Sequence, residues 1–86
     1  MNMLPYDFIL NGHQRIVESV GVPGATANSK IFATVAEWDQ GNRRTFIGAA
    51  RVYLCNLSVV EGGINIWIQV DWDNDILIHV DLLIVN

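Results

Sequence analysis

Residues 64–85 read INIWIQVDWDNDILIHVDLLIV. Ile64, Ile66, Ile68, Val70 and Trp72 alternate with Asn65, Trp67, Gln69 and Asp71. After Asp73, Asn74 and Asp75, a second alternation carries Ile76, Ile78, Val80, Leu82 and Ile84 on one face. A period of two marks a β-strand with one buried face. A three-residue loop at 73–75 sets Trp72 opposite Ile76, Val70 opposite Ile78, Ile68 opposite Val80, Ile66 opposite Leu82 and Ile64 opposite Ile84. One face of such a hairpin is entirely apolar, whereas a two-residue loop would set isoleucines against polar residues. The expectation is an antiparallel hairpin in this register.

Working backwards, Tyr53, Cys55, Leu57 and Val59 alternate with Leu54, Asn56 and Ser58 within a strand predicted over 45–60, which ends at Gly62-Gly63. That dipeptide suits a tight turn, because glycine adopts positive φ without steric cost. With it as the loop, Val59 faces Ile66, Leu57 faces Ile68 and Cys55 faces Val70, which extends the hairpin into a C-terminal three-strand meander. Gly48-Ala49-Ala50 marks either a bulge or a close approach of another layer.

Further upstream, Phe32, Thr34, Ala36 and Trp38 alternate with Ile31, Ala33, Val35 and Glu37, a strand that returns through the turn signal Asp39-Gln40-Gly41-Asn42. The breaker-rich run from Gly21 to Ser29 has no period and is the one long loop, suited to crossing between two sheets. Residues 11–20 admit two readings. Asn11-Gly12 is a hairpin dipeptide, while Asn11 with Gln14 also forms a capping box for a short helix closed by Gly21. The strand is preferred, since Val17-Glu18-Ser19-Val20 has low helix propensity. The whole chain, 1–86, then reads as a single all-β domain. Its form is a small antiparallel β-sandwich or partly closed barrel of about six strands, near 4–10, 14–21, 30–38, 45–60, 64–72 and 76–85.

Of the 86 residues, 51% are hydrophobic. Counted without Tyr and with Gly, the fraction rises to about 57%, against the ~45–50% usual for soluble domains. A chain this short buries only about 60–65% of its unfolded surface, so the apolar excess calls for a second copy or a ligand groove. The net charge of -4 lies in the second half. Residues 1–48 balance Asp7, Glu18, Glu37 and Asp39 with Arg15, Lys30, Arg43 and Arg44, while beyond them five acids face Arg51 alone. An acidic half argues against nucleic acid as a partner. No apolar run is long enough to span a bilayer as a helix and no signal-peptide pattern opens the chain, so a cytoplasmic protein without membrane association is expected. Cys55 is the one cysteine, placed by its alternation as a buried, inert thiol.

Catalytic chemistry finds little support, and no cofactor is called for. Asp71, Asp73 and Asp75 lack the glycine and glutamate of a calcium loop, having Ile76 and Leu82 at those positions, and they suit turn geometry instead. His13 is expected to be solvated in a turn. His79 has no nucleophile in reach of the expected hairpin, and a non-enzymatic protein is expected. The polar face of that hairpin is the candidate site. Gln69 lies opposite His79, Trp67 opposite Asp81 and Asp71 opposite Leu77, so Trp67, Gln69, His79, Asp81, Leu77 and Leu83 form one patch. An indole among dry leucines and hydrogen-bonding groups serves a protein interface, here between copies of the chain. The alternative is a lectin-like carbohydrate platform around Trp67. Homo-oligomerisation is favoured because Ile76–Val85, with neither proline nor lysine, would aggregate as a bare sheet edge unless Trp67, Leu77, Leu83 and Val85 were covered.

Overall fold

The computed structural model describes residues 2–86, and every regular element is a strand. These are β1 (Met3–Gly12), β2 (Gln14–Gly21), β3 (Lys30–Asp39), β4 (Arg44–Phe46), β5 (Arg51–Val60), β6 (Gly63–Asp71) and β7 (Ile76–Val85). Two antiparallel sheets result, sheet 1 in the order β1-β7-β3-β4 and sheet 2 in the order β2-β6-β5. The small all-β sandwich is as the alternation implied, and residues 14–21 are strand rather than helix. The expected strand over 45–60 is divided into β4 and β5 by residues 47–50, which carry the chain from sheet 1 to sheet 2. Gly48 sits at that crossing. A Cβ there would lie 2.7 Å from Glu37 Oε1 and 2.9 Å from Phe46 Cε2, so the small residue answers a close approach.

The C-terminal meander is corrected by the topology. β5 and β6 do form a hairpin, but β6 and β7 lie in different sheets. Residues 72–75 are an arch that carries the chain across the sandwich rather than a hairpin loop. Ile64, Ile66, Ile68 and Val70 from one sheet and Ile78, Val80, Leu82 and Ile84 from the other are all buried in a single core. The same alternation serves either arrangement, because a hairpin and an arch both turn the even-numbered residues inward. Trp72, expected inside, stands at the arch and is 40% exposed.

β1 and β2 repeat the arrangement. Their near-continuous chain bends at Gly12-His13-Gln14, with Gln14 in the left-handed region at φ 56°, so Asn11-Gly12 turns a corner between sheets instead of closing a hairpin. β1 runs beside β7 and β2 beside β6, with Gly12 paired to Ile76 and Gln14 to Val70. The two corners are thus stacked, and His13 Nδ1 lies 2.5 Å from Asp75 Oδ1 between them. His13 is therefore partnered rather than simply solvated. β7 pairs with β1 on one side and β3 on the other. It is a central strand, which removes the bare edge on which the aggregation argument rested.

The β5–β6 turn is Glu61-Gly62, with Gly62 at φ 78°, and the register differs by two from that expected. Val59 pairs with Ile64 and Leu57 with Ile66, and a bulge at Cys55 shifts the ladder so that Leu54 meets Ile68 and Tyr53 meets Gln69. A bulge adds one residue and reverses which side chains face inward. Val52 and Leu54 therefore join Leu57 and Val59 against the core, while Cys55 is exposed rather than buried. The 22–29 loop crosses between the sheets as expected and closes one end of the sandwich. Val22 and Ala25 are buried, Val22 N–H donates to Gly62 O (3.0 Å) and Gly62 N–H to Ala25 O (2.9 Å). Ser29 hydroxyl donates to Asn86 Oδ1, and the Asn86 amide donates to Gly24 O at 3.0 Å.

Candidate functional site

The arch distributes the six candidate residues over the two opposite outer faces of the sandwich. Trp67 and Gln69 lie on the outer face of sheet 2, and Leu77, His79, Asp81 and Leu83 on that of sheet 1. Core packing sends the even-numbered residues of both β6 and β7 inward, so their odd-numbered neighbours point away from each other. The single patch expected from a hairpin does not exist. Two separate surfaces replace it.

On sheet 1, β7 runs between β1 and β3, and the outward residues fall into cross-strand rows. Met3, Val85 and Lys30 form one row, Pro5, Leu83 and Phe32 the next, then Asp7, Asp81 and Thr34, then Ile9, His79 and Ala36. His79 is fixed from both sides. Its Nε2 lies 2.8 Å from Asp7 Oδ2 and its ring packs on Trp38 with centroids 4.8 Å apart at 31°, which leaves its side chain only 13% exposed. A ring so held ties three strands together. The neighbouring rows are apolar. Phe32 is 64% exposed and Met3 55%, and Pro5, Phe32, Ala33, Thr34, Asp81, Leu82 and Leu83 line an open groove of about 530 Å³. Phe32 was not singled out from sequence, because only the pairing of β3 with β7 brings it beside Leu83.

On sheet 2, β6 is flanked by β2 and β5. Trp67 pairs with Val17 on one side and Asn56 on the other, Gln69 with Arg15 and Tyr53, Asn65 with Ser19 and Ser58. The Arg15 guanidinium stands over the Trp67 ring, 4.8 Å from its centroid, a cation–π contact. Beside it, Arg15, Val17, Asn56, Ser58, Asn65, Ile66 and Trp67 line a concavity of about 200 Å³. Ser19 Oγ donates to Asn65 Oδ1 at 2.7 Å, which orients the Asn65 amide with its NH₂ free to donate. The Trp67 indole N–H is buried without an acceptor, at a cost of about 1–3 kcal/mol for a donor taken from water. Arg15, Asn56 and Ser58 escaped the sequence reading because they converge on Trp67 only through β2–β6 pairing and the register that the Glu61-Gly62 turn sets, while Asn65, on the same face of β6 as Trp67, carried no signal of its own.

The turn after β3 is built as its sequence implied. Asp39 Oδ1 accepts from Gly41 N–H (3.0 Å) and Asn42 N–H (3.2 Å), and Oδ2 from the Asn42 amide (2.7 Å). The Asn42 side chain foremost, then these backbone amides and Arg44, hold the Asp39 carboxyl below its ordinary value of 3.8. Among the described residues no group of three or more His, Cys, Asp or Glu side chains is placed to hold a metal ion. Compared with protein-family models, with curated proteins and with solved structures, the chain matches none.

Proposed function

We propose that the protein is a non-enzymatic, self-associating interaction module whose copies pair through the outer face of sheet 1. The observation that carries this reading is Phe32, 64% exposed on a strand-built face at the end of the row it forms with Leu83 and Pro5, the second of the outward rows. Large apolar side chains that lie together on rigid strands mark contact surfaces. The molecule measures 38 × 25 × 15 Å between its Cα atoms. A contact centred on the Phe32 row reaches from the Met3, Val85 and Lys30 row to the Asp7, Asp81 and Thr34 row, so it covers part of the broad face and belongs with the smaller interfaces, below ~1,200 Å² in total.

Charge favours a second copy as the occupant. Lys30 lies one row to one side of the Phe32 row, and Asp7 and Asp81 lie one row to the other. A two-fold axis running across the strands at Leu83 lays the Lys30 row of one copy on the Asp81 row of its partner, with the apolar row self-paired between them. The homo-oligomer expected from composition keeps its motive in the apolar excess, but its surface moves to Phe32, Leu83, Pro5, Met3 and Val85, and Trp67 leaves it. The carbohydrate reading likewise loses His79 and Asp81. Sedimentation equilibrium tests the pairing: the wild-type chain should reach twice its monomer mass by tens of micromolar. Phe32→Asp should return it to monomer, and Val17→Asp on the opposite face should not. A wild-type chain that stays monomeric at high micromolar concentration would refute the proposal.

A further inference from the structure

We infer that the concavity beside Trp67 is a binding site for a carboxylate-bearing saccharide, one sugar ring lying against Val17 and the edge of the indole with its carboxylate on Arg15. The site lies on the outer face of sheet 2 and does not depend on the pairing proposed for sheet 1.

Charge is the first argument. The chain carries -4 overall, yet the outer face of β2-β6-β5 presents Arg15 and Arg51 against Asp71 alone, the last two being register partners at its end. Among the described residues Arg15 has no carboxylate partner, since the ion pairs are His13–Asp75 and His79–Asp7. Its guanidinium is nonetheless placed, held over the Trp67 ring at 4.8 Å. A guanidinium that is fixed and unpaired is a ready partner for a planar anion, which it meets with two parallel hydrogen bonds.

The second argument is the kind of polar group around it. Asn56, Asn65 and Ser58 line the same concavity, and the bond from Ser19 to Asn65 Oδ1 turns the Asn65 amide donors outward. Two carboxamides and a hydroxyl can bond vicinal hydroxyls, while Val17, 56% exposed on the same concavity, and the indole edge beside Arg15 cover the C–H groups of a pyranose. A volume of about 200 Å³ falls below the ~300–1,000 Å³ of drug-sized pockets. The room is that of one terminal residue rather than an extended chain. A bare carboxylate would use Arg15 and leave the amides idle.

The experiment titrates the intact protein with D-glucuronate, D-glucose and acetate, followed by tryptophan fluorescence and by chemical-shift changes in the Trp67, Asn56 and Asn65 resonances. Glucuronate should bind at least tenfold more tightly than glucose or acetate. Arg15→Gln, which preserves the strand and the core, should abolish that preference, and Asn65→Asp should weaken glucuronate at least tenfold. Equal affinity for the three probes, absence of saturation by glucuronate, or unchanged glucuronate binding in Arg15→Gln would each overturn the assignment. Phe32→Asp separates the two proposals: a monomer that binds glucuronate as the wild type does supports this site whether or not the pairing face is correct.

Discussion

Truncating Ile68 tests the architecture at its centre. Ile68 is fully buried, paired between Ile16 on β2 and Leu54 on β5, and lies in the core shared with β7. Ile68→Ala removes three buried carbons, about 2.4 kcal/mol of transfer free energy at ~0.8 kcal/mol each. The cavity left between two rigid sheets raises the total toward the 2–5 kcal/mol found for such truncations. A domain of this size has roughly 5–15 kcal/mol of stability in all, so the melting temperature should fall by at least about 10 °C. Asn65→Ala, three residues earlier on the outer face, removes only an exposed bond from Ser19 and should cost less than about 1 kcal/mol. Urea unfolding followed by far-ultraviolet circular dichroism measures both, with unchanged slope confirming that the unfolded states are comparable. Costs equal within about 0.5 kcal/mol would show that Ile68 does not lie between the sheets.

Two further outcomes concern the places where a single residue reports on local structure. Because the bulge turns Cys55 outward, a disulfide reagent should modify it in the native protein almost as fast as in denaturant; protection by a factor of a hundred would place it inside. Asp39 has a folded-state pKa below its ordinary 3.8, so its bonds contribute stability that is complete above that value and lost as the pH falls through the folded pKa. The stability difference between wild type and Asp39→Ala should therefore be constant near neutral pH and shrink below pH 3.8, and a difference that persists undiminished in acid would refute the role given to the carboxylate.

What was legible in the sequence was periodicity. The inward residues of β6 and β7, the strand character of 14–21 and the crossing loop at 22–29 all follow from local alternation or from breakers. The partner of each strand did not follow. Ile68 and Val80 are inward whether β6 and β7 share a sheet or oppose each other, so residues 64–85 alone cannot choose between hairpin and arch. The choice is made by β1 and β3, which occupy both edges of β7, and by β2 and β5, which occupy those of β6. Cys55 failed for a related reason. A bulge changes the phase of a strand without changing its composition, and Leu54 and Leu57 are apolar on either side of it. The candidate site inherited both errors: the groups that line the concavity beside Trp67 come from β2 and β5 rather than from β7.

The sheet edges bear on how far association can run. Of the four edge strands, β1 carries Pro5, which has no amide to donate, β5 carries the Cys55 bulge, β4 is only three residues long, and β2 carries the charged Arg15 and Glu18. Each is a feature that discourages strand addition. Growth by edge pairing would yield open fibres, whereas pairing through the outer face of sheet 1 is self-complementary and closes at two copies. In such a dimer the two sheet 2 faces point in opposite directions, so the two sites cannot engage one flat surface and no avidity arises there. If Trp67 and Arg15 hold one sugar ring each, the dimer instead bridges two separate glycan-bearing bodies. Phe32→Asp should then leave the affinity for monomeric glucuronate intact while abolishing the clumping of beads densely coated with glucuronate-terminated glycans that the wild type produces. Equal clumping by monomer and wild type would break the connection between the two faces, leaving each to stand on its own measurement.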